Sequence, residues 1–156
     1  MRKVPAIAIT VAAGVLLTAC GTGHATTPAL VGRQTIADLF PTWNAALATG
    51  DPQKVADLYA SDAVLLPTVS NQVRSSRPEI VDYFTKFLTQ KPQGVIEDED
   101  IDVLDTDTAI NTGVYRFTLT KDGKQQQVRA RYTYVYELRD GKWLIVNHHS
   151  SAMPEG

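Results

Sequence analysis

The sequence predicts an α+β domain, with helices first and an antiparallel meander after them. Three observations carry this. Apolar residues recur at helical spacing as far as Leu88, and beyond Pro92 the period switches to alternation. Two Asp-Gly pairs, Asp122-Gly123 and Asp140-Gly141, then separate alternating runs. Both residue types tolerate positive φ, which tight hairpin turns require.

In the first helical run, Ile36, Leu39, Phe40, Trp43, Ala46 and Leu47 form one apolar stripe. Pro41 inside it lacks an amide donor and predicts a kink or a late start. Gly50 ends the run, and Asp51-Pro52 reads as an N-cap with proline at the first helical position, opening a short helix through Tyr59. "AVLLP" at 63–67 reads as a strand and "TVSNQVRSS" as a polar loop. A third helix begins near Pro78, with Ile80, Val81, Phe84, Phe87 and Leu88 on its buried side. Four β-rich segments follow, roughly 94–104, 108–120, 125–138 and 142–151.

Alternation assigns faces. Tyr115, Phe117 and Leu119 share one face of their strand, opposite Val114, Arg116, Thr118 and Thr120. In "VRARYTYVYEL", Val128, Ala130, Tyr132, Tyr134, Tyr136 and Leu138 alternate with Arg129, Arg131, Thr133, Val135 and Glu137. A two-residue turn at Asp140-Gly141 sets Arg139 against Lys142. Tyr136, Tyr134 and Tyr132 then oppose Ile145, Asn147 and His149 on the face turned to the helices, and His148 faces away. Adjacent histidines on a strand point in opposite directions, so no metal site is expected.

The amino terminus reads as an address. Arg2 and Lys3 precede an apolar run from Val4 to Leu17, which is too short for a comfortable membrane span and predicts a signal peptide over residues 1–19. Leu17-Thr18-Ala19-Cys20 resembles the bacterial lipobox, which implies cleavage before Cys20 and a diacylglycerol on its thiol. Cys20 is the single cysteine, so no internal disulfide can form. Two acyl chains anchor a protein firmly. The expected location is the cell membrane, lipid-anchored on its extracytoplasmic face. Residues 20–32, "CGTGHATTPALVG", are small and polar and read as a flexible tether, with the domain proper at 33–156.

Loss of residues 1–19 removes two basic residues and no acidic ones from a chain of formal charge −2, leaving −4. No basic stripe remains to track phosphates, and nucleic-acid binding is disfavoured. No glycine-rich dinucleotide fingerprint occurs, and no cofactor is expected.

The segments "WNAALATGD", "YASDAVLLPTVSN", "RPEIVDYFTKFL", "GVYRFTL" and "RYTYVYELRDGKWLIVNHHSSAMP" together resemble the calcium/calmodulin-dependent protein kinase II association domain and its free-standing bacterial relatives, some of them labelled SgcJ/EcaC-type. These belong to the nuclear transport factor 2-like superfamily, with SnoaL-like cyclases and ketosteroid isomerases. The resemblance implies a cone in which a curved antiparallel sheet wraps three N-terminal helices around a pocket. It also implies a homodimer or higher homo-oligomer through the outer sheet face, which agrees with apolar residues on both faces. In the kinase domain arginines line the pocket. Arg116 matches one of them, Tyr134 and Ser150 stand where two others would be, and Arg131 compensates only if a bulge turns it inward.

Isomerase- or cyclase-type chemistry needs a carboxylate base in the cone. Glu97 to Asp100 sit at a strand entrance, Asp62 between helix and strand, and Glu137 beside a hairpin turn. His149 is therefore the acid/base candidate, with Tyr132, Tyr134 and Asn147 as hydrogen-bonding neighbours and Trp43 on the helical wall. The leading expectation is a self-associating domain that binds a small apolar or weakly anionic molecule without turnover. The alternatives are an isomerase, cyclase or dehydratase using His149, and a structural assembly module with a filled pocket.

Overall fold

The computed structural model describes residues 31–154. The expected signal peptide, Cys20 and nearly all of the tether lie outside the described residues. Secondary structure runs α1 (Arg33–Ala37), α2 (Leu39–Ala48), α3 (Pro52–Ala56), β1 (Tyr59–Leu66), α4 (Arg77–Phe87), a 3-10 turn at Leu88–Gln90, β2 (Gln93–Val103), β3 (Thr108–Lys121), β4 (Lys124–Arg139) and β5 (Lys142–Ala152).

The expected first helix is divided at Asp38 into α1 and α2, so Pro41 falls in the first turn of α2. A missing N–H is tolerated there because those amides have no acceptor within the helix. Asp51 caps α3 as the sequence predicts, its carboxylate accepting from the Gln53 amide at 2.9 Å. That helix nevertheless stops at Ala56. Tyr59 and Ala60 already belong to β1, and pairing with the last strand overrides the local helical pattern.

The sheet has the order β1-β5-β4-β3-β2. Its β2–β3, β3–β4 and β4–β5 pairings are antiparallel, but β1 runs parallel to β5. The expected antiparallel meander is β2 to β5, and the strand expected at 63–67, nearly all within β1, joins its β5 edge in parallel. A parallel neighbour needs a long crossover, and everything from α4 to β4 supplies one. Both Asp-Gly pairs form their turns with positive φ, 51° and 74° at Asp122-Gly123 and 52° and 76° at Asp140-Gly141.

Two bulges shape the sheet. One lies between Ile96 and Asp98 on β2, opposite Tyr115 and Val114 and next to the Glu99–Gly113 pair. A Cβ on Gly113 would stand 1.9 Å from the Asp98 carbonyl oxygen, so only glycine lets the strands close there. The other bulge is in β5. Tyr136 pairs with Ile145 and Val135 with Asn147, leaving Val146 as an extra residue. Beyond it, Tyr134 faces His148 and Tyr132 faces Ser150. The register expected from the turn therefore holds through Ile145 and is shifted by one afterwards.

The helices fill the concave side. Ile36, Phe40, Trp43 and Leu47 from α1 and α2, with Ile80 and Phe84 from α4, pack against Tyr115, Phe117, Tyr134 and Tyr136 of the sheet, all buried. The tyrosines of β4 thus point into the helical layer. Leu138, assigned by alternation to the same face, is exposed beside the hairpin turn.

Candidate functional site

The cone opens between α4 and the β1 end of the sheet. Its hollow is lined by Trp43 of α2, Leu65 of β1, Pro67, Thr68 and Val69 after β1, Tyr83, Phe84 and Phe87 of α4, and Tyr115, Phe117, Leu119, Val128, Ala130, His148 and Ser150 of the sheet. The interior is narrow. Space for water-sized atoms amounts to about 40 Å³, against about 480 Å³ when the open mouth is included. Among the described residues, no carboxylate and no arginine lines it.

The polar groups gather at one end. Trp43 Nε1 donates to the Tyr59 hydroxyl at 3.2 Å, and that hydroxyl lies 2.8 Å from His148 Nδ1. His148 Nε2 stands 3.5 Å from the Tyr115 hydroxyl, which donates to Ser150 Oγ at 2.5 Å, and Ser150 bonds in turn to Thr68 Oγ1. Indole can only donate. The Tyr59 oxygen therefore accepts from Trp43, and its single proton goes to His148 Nδ1. The reverse assignment would leave that proton without an acceptor. His148 then carries its hydrogen on Nε2, and every donor points the same way, from Trp43 to Ser150. Between Ser150 and Thr68 either hydroxyl can donate, and one proton of the pair is left for the hollow.

Electrostatics keep this relay neutral. Burial, reinforced by the neighbouring His149, pushes the His148 pKa down to about 3. Desolvation likewise raises the Tyr59, Tyr115 and Tyr134 hydroxyls well above the ordinary phenol value. The Tyr134 ring stacks on His148 with centroids 4.1 Å apart, and Trp43 meets it edge-on at 5.6 Å. An imidazole walled in by aromatic faces has no water to stabilise its charged form.

The structure separates the residues singled out in the sequence. Trp43 lines the hollow. Tyr134 is fully buried behind His148, its hydroxyl without a protein partner. Tyr132 is buried too, but its hydroxyl donates to Asn111 Oδ1 at 2.8 Å, away from the hollow. His149 and Asn147 are corrected to the outer face, because the Val146 bulge reverses the facing of every later residue. His148 takes the inward position. Arg116 is also on the outer face, since β3 has no bulge to turn it. There it shares Glu97 with Arg129, at 2.6 and 2.7 Å. These two guanidiniums hold the Glu97 carboxyl below the usual range. Arg131 is exposed, paired in register with Val114 and Ser151, and no bulge turns it inward. Asp62 and Glu137 both meet Arg139 on the surface, at 2.5 and 2.7 Å.

His148, Ser150, Tyr115, Tyr59 and Thr68 were not foreseen as a group. His148 and Ser150 do share a face at period two, and Tyr115 alternates with Arg116, which the resemblance had set in the pocket. The missing signal was the extra residue in β5. Among the described residues no cluster of three His, Cys, Asp or Glu side chains is placed to hold a metal ion.

The sequence profile of the calcium/calmodulin dependent protein kinase II association domain matches residues 32–154, which is the whole cone. The chain belongs to that family. A crystal structure from Xanthomonas campestris assigned to the same association-domain family is 63% identical, with TM-score 0.79 over 83% of this chain and 96% of the other. The association domain of C. elegans CaMKII superposes with TM-score 0.63 at 13% identity, over 76% of this chain and 94% of the other. A protein of the nuclear transport factor 2-like family from Streptomyces avermitilis, assigned as a dehydratase, superposes with TM-score 0.67 at 17% identity, over 77% of this chain and 95% of the other. These distant likenesses speak for the nuclear transport factor 2-like fold alone. No curated protein matches the chain in sequence.

Proposed function

We propose that this association-domain protein is a self-associating, non-catalytic binding domain for a small apolar or weakly anionic molecule, held by a lipid on Cys20 at the extracytoplasmic face of the cell membrane. The observation that carries the binding reading is the relay. It ends an otherwise apolar hollow in the Ser150–Thr68 hydroxyl pair, which has one proton to spare and suits a slender ligand with a single acceptor group. Self-association is supported by the family and by Val64, Leu66, Ile110, Val114 and Val135. These half-buried residues give the outer sheet face an apolar band that no helix among the described residues covers. The anchor is supported by the Leu17-Thr18-Ala19-Cys20 motif.

An isomerase, cyclase or dehydratase would need a base matched to its working pH. His148, with its pKa near 3 and both nitrogens engaged by tyrosines, is a poor one. The structural-module reading is favoured by one observation, the interior space of about 40 Å³.

Native mass spectrometry of the purified protein separates these readings. A co-purifying small molecule lost on Thr68→Val supports binding, whereas an empty chain that takes up nothing supports the module. Turnover of any substrate that His148→Gln abolishes while the fold persists would establish the enzyme. In the same spectra, Val135→Glu converts oligomer to monomer, and a mature chain starting elsewhere than Cys20 removes the anchor.

A further inference from the structure

The outer face of the sheet divides its charge by strand. Residues paired in an antiparallel ladder share a face, so the register shows what each strand presents there. Asp98, Asp100 and Asp102 of β2 pair with Val114, Thr112 and Ile110 of β3, and Val114 and Arg116 pair in turn with Arg131 and Arg129 of β4. All of these lie away from the helices, because their chain neighbours Ile101, Tyr115, Ala130 and Tyr132 are buried on the other side. One flank of this face is therefore acidic and the other basic. Between them β3 is uncharged from Ile110 to Val114.

The middle of the face is a row of three residues, Asp98, Val114 and Arg131, crossing β3 near its midpoint. Asp98 and Arg131 are exposed, and Val114 is half-buried. Strands lie about 4.8 Å apart, so the two charged residues are held about 10 Å from each other at the backbone, with the valine between them. Among the described residues neither forms an ion pair, whereas Asp100 meets Arg33, and Arg116 and Arg129 meet Glu97. The row carries one acid, one apolar centre and one base. Turned over about β3, it is its own complement.

A two-fold axis between two stacked sheets, running along β3, exchanges the positions of β2 and β4. It sets Val114 on the partner's Val114 and brings Asp98 over the partner's Arg131, twice per dimer. Stacked sheets stand about 10 Å apart, a gap that an aspartate and an arginine side chain fill together. Their strands cross at about 30°, so the match is best at the centre, where this row lies. An axis along β4 would instead set Arg131 on the partner's Arg131, a like-charge contact. We infer that a second copy of this chain docks on the outer face about an axis along β3, held in register by the two Asp98–Arg131 pairs. The inference rests on the self-association reading above and adds the register and its selectivity.

The test follows the monomer–dimer equilibrium of the full mature chain by sedimentation over a dilution series. Asp98→Arg or Arg131→Asp alone sets like charges together twice in each dimer and is expected to raise the dissociation constant at least tenfold. Both substitutions in one chain, or an equimolar mixture of the two single variants, restore opposite charges at both pairs. The constant should then return to within threefold of the original. If neither single substitution weakens the dimer, or if neither the double variant nor the mixture recovers it, the register is overturned and self-association stands. An unaltered chain that stays monomeric at every concentration overturns both.

Discussion

The two faces of β4 and β5 are built from the same few residue types and behave as two different materials. On the inner face Tyr132, Tyr134, Tyr136 and His148 are buried, stacked and uncharged. On the outer face Arg131 and His149 are exposed, and Thr133 and Val135 are only half covered. His148 and His149 are neighbours in the chain, yet one is buried between aromatic walls and the other is exposed to solvent. Residue type fixes little here. Which side of the sheet a residue occupies decides its chemistry.

The comparison is broken hardest by truncation. Tyr134→Ala, which empties the wall behind His148, should cost about 4 kcal/mol by urea unfolding, whereas Val135→Ala should cost under about 1 kcal/mol. Similar costs at the two positions would mean that the faces are not distinct.

Acid sharpens it. In the unfolded chain His148 titrates near 6.5, and in the fold near 3. Between those values the unfolded state binds the extra proton, so stability is complete above about pH 7 and falls as pH drops towards 3. At pH 5 the loss relative to pH 7.5 should be about 2 kcal/mol, at about 1.4 kcal/mol per pH unit below 6.5. His148→Gln should flatten this part of the curve.

The smallest effects distinguish hydroxyls within the inner face. Tyr132→Phe strands the buried Asn111 carbonyl, whose amide is committed to Glu99 at 2.8 Å, and should cost about 2 kcal/mol. Tyr134→Phe removes a hydroxyl with no protein partner and should change the unfolding midpoint by less than about 0.5 kcal/mol equivalent.

Much of the fold was legible because it is local. The Asp-Gly turns, the edges of β2 to β5 and the Asp51 cap are each written in a few adjacent residues, and the structure places them within a residue or two of expectation. The beginning of β1 was not legible. Its pairing with β5 joins Tyr59 to Ile145, far apart in the chain, and outweighs the helical pattern around Tyr59. The candidate site failed at two points. The resemblance set Arg116 in the pocket, whereas regular alternation along β3 turns it outward and Tyr115 inward. Alternation placed Tyr132 and Tyr134 inward, but counting by twos along β5 passes over Val146 and delivers the wrong histidine.

The bulge at Val146 makes the register of the final strand as consequential as its composition. Were the strand to run regularly with that valine kept in the ladder, Asn147, His149 and Ser151 would enter the interior and His148 and Ser150 would leave it, an inversion that no single side-chain exchange could achieve. Relatives whose last strand lacks the bulge but keeps the residue can therefore carry the same letters and present an entirely different lining.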